Sequence, residues 1–378
     1  MRVAIISRVF SRTGGGAESY AVAIAQALSQ RHEIHVFAQE SNHPVDAVTY
    51  HRVWCLSKKP RWVNQLLFAI WTWWLTRRGF DVVHSHENTW HGQIQTVHVR
   101  PTRYNLFHAR TGVSLAMRWL KVGLSLRLIT YVRLEAARFA PQPGRQVVAT
   151  SQTLREECEA AYPASSRLLS VITPGTLLPD DGLSRAQARE ALGLSSTASY
   201  LLFVANDFAR KGLTALLQAL VQLPDSVRLL VVGDTRQVAR FTALAEQLAV
   251  QDRVAFLGSR TEMSQVYLVA DLLIHPTLED SFAMVVLEAM AHRLPVVVSG
   301  PDHCGISRQL QSGREAMLLT DPTDAAAMAQ VILQILDSAT LREQLVKNAW
   351  AFAQQHTWER AGLAYEALYR QALEGTRP

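Results

Sequence analysis

Short apolar runs alternate with helix-like patterns along most of the chain. Arg2 to Ser7, Glu33 to Ala38, Asp81 to Ser85, Thr96 to Val99, Gln146 to Thr150 and Leu168 to Thr173 read as strands. Between them, apolar residues recur at three- and four-residue spacing. That alternation predicts βαβ units and a parallel sheet. After Pro174 and Gly175 the strand pattern lapses until residue 200. This stretch holds one helix, opened by a capping box of Ser184 and Gln187 and closed near Gly193. The gap marks a linker, with one domain over 1–175 and a second over 176–357. In the second, strands are expected at Tyr200 to Ala205, Arg228 to Gly233, Arg253 to Gly258, Asp271 to His275, Pro295 to Ser299 and Ala316 to Thr320. Two long helical patterns follow, Ser338 to Gln355 and Thr357 to Glu374. The fold class is therefore α/β, with two doubly wound sheets. Ligands of such sheets lie beyond the carboxyl ends of the strands, which directs attention to the turns after Ser7, Ala205, Gly233, Gly258 and His275.

Composition narrows the class. With 378 residues, 48% of them hydrophobic and 19% charged, the chain can bury two cores of ordinary size. Cys55, Cys158 and Cys304 are widely spaced and form no CxxC pair, so neither a disulfide framework nor a zinc knuckle is signalled. The first residues, Met1 to Ser7, read as a strand feeding Gly14, Gly15 and Gly16 rather than as a signal peptide. The longest apolar stretch, Leu66 to Leu75, is half of the roughly 20 residues a bilayer span requires. A cytoplasmic setting is expected.

The charge is uneven. Residues 1–180 carry 21 Lys and Arg against 11 Asp and Glu, whereas 181–378 carry 17 against 21. The basic half is expected to meet something acidic. Residues 58–78 mix Lys58, Lys59, Arg61, Arg77 and Arg78 with Trp62, Trp71, Trp73 and Trp74. Residues 103–138 mix seven cations, Arg118, Lys121, Arg127 and Arg138 among them, with Leu, Trp119 and Tyr131. Cations with interfacial aromatics suit an amphipathic element on an anionic membrane surface, and a core helix with a solvated basic face is the alternative. No nucleic-acid-binding motif accompanies the charge.

Three segments could carry chemistry. Gly15 and Gly16, between a strand and a helix, could hold an anion on backbone N–H groups, or serve only as a tight turn. Ser19 breaks the GxGxxG dinucleotide pattern, and no GxxxxGK[ST] occurs. Arg210 and Lys211 follow the first strand of the second domain, where a planar fork and a point charge suit a diphosphate. Asp280, in the loop before a helix, and Glu288, about two turns inside it, are spaced to lie on a similar face of that helix and to clamp hydroxyl groups of one extended ligand. His84 and His86 could be mistaken for a metal pair, but strand alternation sends them to opposite faces. No DxD lies among strand signals; Asp180 and Asp181 fall in the linker. No metal is expected.

Pro276, Asp280 and Glu288, with Leu287 to Ala291 and Leu294 to Val298, resemble the signature of family 4 glycosyltransferases of the GT-B fold. Gly15 to Glu18 and Arg210 to Gly212 extend the resemblance, in order, over nearly the whole chain. Within the family, the segment 207–211 and the basic helices look most like the lipopolysaccharide core glucosyltransferases. The resemblance implies two Rossmann-like domains facing each other across a cleft, with a final helix, 358–378, crossing back to the first, acceptor-binding domain.

It also implies that Glu288 holds ribose hydroxyls, Asp280 the sugar hydroxyls, and Arg210 and Lys211 the diphosphate, with the Gly15-Gly16 loop closing on it. Arg260, Phe282, Ala283 and Met284 join the donor-binding set. His98 falls where many members carry a histidine close to the reacting sugar; a satisfied strand-end histidine is the plainer reading. Asp280, Ser281 and Ala283 depart from the family's usual Glu and glycines. The implied activity is retaining, metal-independent hexosyl transfer, with UDP-glucose as donor and a membrane-borne glycan such as the lipopolysaccharide inner core as acceptor, at the inner face of the cytoplasmic membrane. An epimerase or hydrolase on the same scaffold, or transfer from GDP-mannose or UDP-GlcNAc, are the rivals. A non-catalytic module would have no need of Glu288, Arg210 and Lys211.

Overall fold

A computed structural model describes the whole chain except residues 13, 14, 43, 44, 180–183, 261 and 376–378, so Gly14, Asp180 and Asp181 lie outside the described residues. The chain divides into two compact units, Met1–Pro174 with Trp358–Pro378, and Gly175–Thr357.

The N-terminal unit contains strands β1 (Arg2–Ile6), β2 (Val9–Phe10), β3 (Glu33–Ala38), β4 (Glu40–Ser41), β5 (Val48–Arg52), β6 (Val82–Ser85), β7 (Ile94–Val97), β8 (Gln146–Ala149) and β9 (Leu169–Val171). Its helices are α1 (Gly16–Ser29), α2 (Arg61–Thr76), α3 (Thr102–Phe107), α4 (Gly112–Gly123), α5 (Leu126–Phe139) and α6 (Gln152–Ala161). Seven strands form one sheet in the order β5-β3-β1-β6-β7-β8-β9, and every pairing is parallel. The sequence pattern missed β5, whose Val-Thr-Tyr-His-Arg run is half-exposed at the sheet edge and carries no apolar block. It also missed the short parallel pair β2–β4.

The C-terminal unit contains α7 (Arg185–Ala191), β10 (Ser199–Ala205), α8 (Leu213–Val221), β11 (Val227–Gly233), α9 (Val238–Gln247), β12 (Val254–Gly258), α10 (Met263–Val269), β13 (Leu272–His275), α11 (Met284–Ala291), β14 (Val296–Ser299), β15 (Met317–Leu319), α12 (Ala325–Asp337) and α13 (Ala339–Gln355). Both hydrogen bonds of the Ser184–Gln187 capping box are present on α7. The sheet order β12-β11-β10-β13-β14-β15 is again parallel throughout. Alternate strand residues feed two cores. Leu202, Leu230, Leu273 and Val298 pack with α11 on one face, while Leu201, Phe203, Leu229 and Val231 pack with α8 and α12 on the other. Each such fully buried side chain contributes about 1.5–3 kcal/mol, which explains strands without polar alternation.

The last helix, α14 (Trp358–Glu374), belongs to the N-terminal unit, where Gly362 packs on Ala27 of α1. In both sheets the strand order reverses once, between β1 and β6 and between β10 and β13. The loops leaving those strands flank the switch point at which doubly wound folds bind ligands.

Candidate active site

In the C-terminal unit the loop after β10 runs through Asp207 to Gly212. Gly212 has φ 84°, and a Cβ there would lie 2.0 Å from the Pro276 carbonyl oxygen. Only glycine lets this turn press against the loop that follows β13. The Leu278 N–H, donating to the Arg210 carbonyl at 2.9 Å, joins the same two loops.

That contact delivers Lys211 to Asp280. The Lys211 ammonium donates to Asp280 Oδ2 at 2.5 Å and to the Glu279 carbonyl at 3.0 Å. His275 Nε2 lies 3.2 Å from the same Oδ2, and Asp280 Oδ1 accepts the backbone N–H groups of Phe282 (3.2 Å) and Ala283 (2.9 Å). Burial alone would raise the Asp280 carboxyl. The hydrogen bond from His275 and the charge of Lys211 outweigh it and hold the group well below the usual carboxylate range. Asp280 is thus a permanent anion that caps the approach to α11 and fixes Lys211.

Glu288, on the next turns of α11, takes a different partner. Its Oε2 accepts the Tyr267 hydroxyl of α10 at 2.7 Å, and burial raises its pKa against the lowering effect of that bond. Asp280 in the loop and Glu288 in the helix stand where the spacing puts them, each held by its own partners.

Arg210 and Lys211 also differ. Arg210 is exposed, 3.6 Å from Asp207, while Lys211 is largely covered. Arg260 is exposed beyond β12, its Nε donating to the nearby Leu257 carbonyl. Phe282 and Ala283 bury their side chains in the core behind α11, and Met284 is half-buried at the helix start. Ala283 has φ 72°, a left-handed conformation that suits glycine, which accounts physically for a glycine preference at this position. His275 and Tyr267, which orient the two carboxylates, escaped the sequence reading because both are fully buried and belong to no polar pattern.

In the N-terminal unit Gly15 caps α1 in extended conformation, its carbonyl accepting the Ser19 N–H at 2.9 Å, and Gly16 begins the helix. Across the sheet, His98 lies just past β7. Its Nε2 is 2.9 Å from Nδ1 of His86, and the rings are stacked with centroids 5.2 Å apart. His84 in turn stacks on His86 at 4.4 Å. The expectation of opposite faces for His84 and His86 is wrong: in a strand it is residues one apart that face opposite ways, whereas residues two apart share a face, as these two stacked rings do.

His84 also bonds Tyr369 and Thr96, each at 2.7 Å. Thr96 meets Tyr365 at 2.8 Å, and Tyr365 meets Tyr20 at 2.9 Å. The last helix therefore buttresses the strand ends. Burial, and then neighbouring His86, His98 and Arg138, keep these imidazoles neutral; His86 is pushed down to about 3. Among the described residues no group of three His, Cys, Asp or Glu has the arrangement of a metal site.

Trp54, Trp71, Trp73 and Trp74 around α2, and Met117, Trp119 and Leu120 of α4, are exposed. Arg77 lies over the rings of Trp73 and Trp74. Arg138, expected on the basic face, is instead buried, donating to Asn88 Oδ1 and the Thr96 carbonyl. Among the described residues no helix is long and apolar enough to cross a membrane.

Residues 184–351 match the family of glycosyl transferases group 1, and residues 14–176 match glycosyltransferase family 4. The chain is 28% identical over 240 residues to the lipopolysaccharide glucosyltransferase WaaG of Escherichia coli strain K12, which covers 61% of this chain and 63% of that one. It is 32% identical over 306 residues to a D-inositol 3-phosphate glycosyltransferase of Xylanimonas cellulosilytica, covering 72% and 73%. The structure of WaaG superposes with a TM-score of 0.82 at 22% identity, over 97% of this chain and 98% of that one. Anabaena HepE, solved with UDP and glucose, gives 0.74 at 19%, over the same shares. The fold is GT-B, and the chain belongs to the family 4 glycosyltransferases.

Proposed function

We propose that this glycosyltransferase moves a hexose, glucose from UDP-glucose, with retention and without a metal, onto a membrane-borne glycan such as the lipopolysaccharide inner core. The observation that carries the donor half is the group Lys211, Asp280 and Glu288 at the switch point of the C-terminal sheet. Two of the three Lys211 protons are engaged by Asp280 and Glu279, which leaves one for a phosphate oxygen and holds the ammonium in place for it. Such a fixed cation stabilises charge that grows on the departing diphosphate, the work a metal does in other sites. Glu288 accepts hydrogen bonds from hydroxyl groups of the ribose, and Asp280 from those of the sugar. The acceptor's hydroxyl proton passes to the leaving phosphate on the face from which it departs, so no separate base is required and configuration is retained. His98 of the N-terminal unit meets the substrate.

WaaG, a glucosyltransferase of lipopolysaccharide, and HepE with UDP-glucose support the choice of donor and acceptor. The exposed tryptophans and cations of α2 and α4 support work at the inner face of the cytoplasmic membrane, since anionic lipid rewards each nearby cation by about 1 kcal/mol. Turnover of labelled UDP-glucose, GDP-mannose and UDP-GlcNAc, with and without lipopolysaccharide acceptor and with excess EDTA, tests the reading. Loss of activity in EDTA that Mg²⁺ or Mn²⁺ restores overturns the metal-free mechanism. Donor consumption without acceptor makes the protein a hydrolase or epimerase.

A further inference from the structure

We propose that His86 is a positioning residue that fixes His98 in the tautomer with its proton on Nδ1, so that His98 meets the substrate as a hydrogen-bond donor to an oxygen and never as a base. The inference rests on the reading that His98 faces substrate.

The geometry allows two arrangements. Only one proton can occupy the 2.9 Å link between His86 Nδ1 and His98 Nε2 while both rings are neutral. If His98 donated it, His86 would carry its own proton on Nε2. That atom is buried and has no partner among the described residues. A buried N–H without an acceptor is rarer and costlier than a bare lone pair. The Arg138 guanidinium, close enough to depress His86, disfavours a further positive hydrogen there. His86 therefore donates from Nδ1, and His98 accepts at Nε2.

The remaining nitrogen of His98 must then bear the proton. His98 is half-buried, and its Nδ1 has no protein partner among the described residues. Ring rotation that would exchange the two nitrogens is blocked by the stacked His86 and by Tyr20, whose ring meets His98 edge-on at 4.9 Å. Tyr20 is itself held by Trp358 at 5.1 Å and by the Tyr365 hydroxyl. Burial keeps both imidazoles neutral near pH 7, with His84, Tyr20, Tyr365, Tyr369 and Arg138 as the titratable or charged groups around them. A donor of this kind suits a sugar or phosphate oxygen that gains electron density as the glycosidic bond breaks.

The first test needs no substrate. In protein labelled with ¹⁵N-histidine, the His98 signals, assigned by their loss in His98→Asn, should show a protonated Nδ1 and an unprotonated Nε2. The reverse assignment overturns the proposal. The second test is kinetic. The amide nitrogen of asparagine occupies roughly the place of Nδ1, and that of glutamine the place of Nε2. His86→Asn should keep turnover near that of the parent, whereas His86→Ala and His86→Gln should lower kcat roughly 10-fold with little change in KM for UDP-glucose, as outer partners of oriented histidines do. Equal activity of all three folded variants overturns the role of His86. For His98, Asn should retain more activity than Gln, and the reverse order overturns the donor assignment. If His98→Ala is as active as the parent, the reading that His98 faces substrate fails, while the tautomer measured in the first test still stands or falls alone.

Discussion

The two units share a parallel doubly wound sheet with one switch point, yet they furnish that point with opposite electrostatics. In the C-terminal unit it holds full charges: Lys211 against Asp280, with Glu288 nearby on α11. In the N-terminal unit it holds, beside the buried cation Arg138, neutral imidazoles and phenols, linked from His98 through His86 and from His84 through Thr96 to Tyr365 and Tyr20. Buried charge is tolerable where each oxygen has a donor, as Asp280 does, and such a site is prepared to meet another charge. Buried neutral rings cost less to desolvate and hold shape instead.

The strongest way to break the contrast is through the backbone that builds the charged site. Gly212→Ala places a Cβ into the Pro276 carbonyl, and should destabilise the C-terminal unit by about 3 kcal/mol or more. Denaturant unfolding of the variant checks this, and a near-parental midpoint would mean the two loops part easily.

Next comes the charge itself. Lys211→Ala should lower kcat about 10²- to 10³-fold, as loss of one preorganised donor does. Turnover of folded variant is the measurement, and little loss would remove Lys211 from the diphosphate role.

Acid sharpens the comparison. Burial lowers the pKa of His84, His86, His91 and His98, while Arg138 lies beside the first, second and fourth and Tyr20, Tyr365 and Tyr369 close the cluster. Below about pH 6.5 the unfolded chain takes up protons that these folded rings refuse. Their stabilising contribution is therefore complete above that pH and lost as pH falls, by about 1.4 kcal/mol per unit for each histidine. Of the histidines described in the C-terminal unit only His275 and His292 are lowered, and Asp280, held low, keeps its contribution until far more acid conditions. Hydrogen exchange at pH 7.5 and 5 should show the N-terminal unit opening more. Equal opening would refute the contrast.

The smallest effect concerns Ala283. Relief of its left-handed backbone in Ala283→Gly should raise stability by up to about 1 kcal/mol, read as a small rise in Tm. A fall would show that the methyl group's packing in the core outweighs the strain.

The alternation of apolar runs and helical spacing determined both parallel sheets, because strands covered on two faces must be apolar throughout, as Leu201–Phe203 and Val296–Val298 are. It also determined the capped helix after the linker, since a capping box is local chemistry. The carboxylates, Arg210, Lys211 and the glycine turn were legible as residue types at strand ends. Their partners were not. Lys211 and Asp280 are 69 positions apart, His84 and Tyr369 are 285 apart, and His86 and His98 are 12 apart. Local sequence sets φ and ψ preferences and the face a residue shows within one element. Which buried polar groups satisfy one another is decided when distant elements pack, because each must find a donor or acceptor once water is gone.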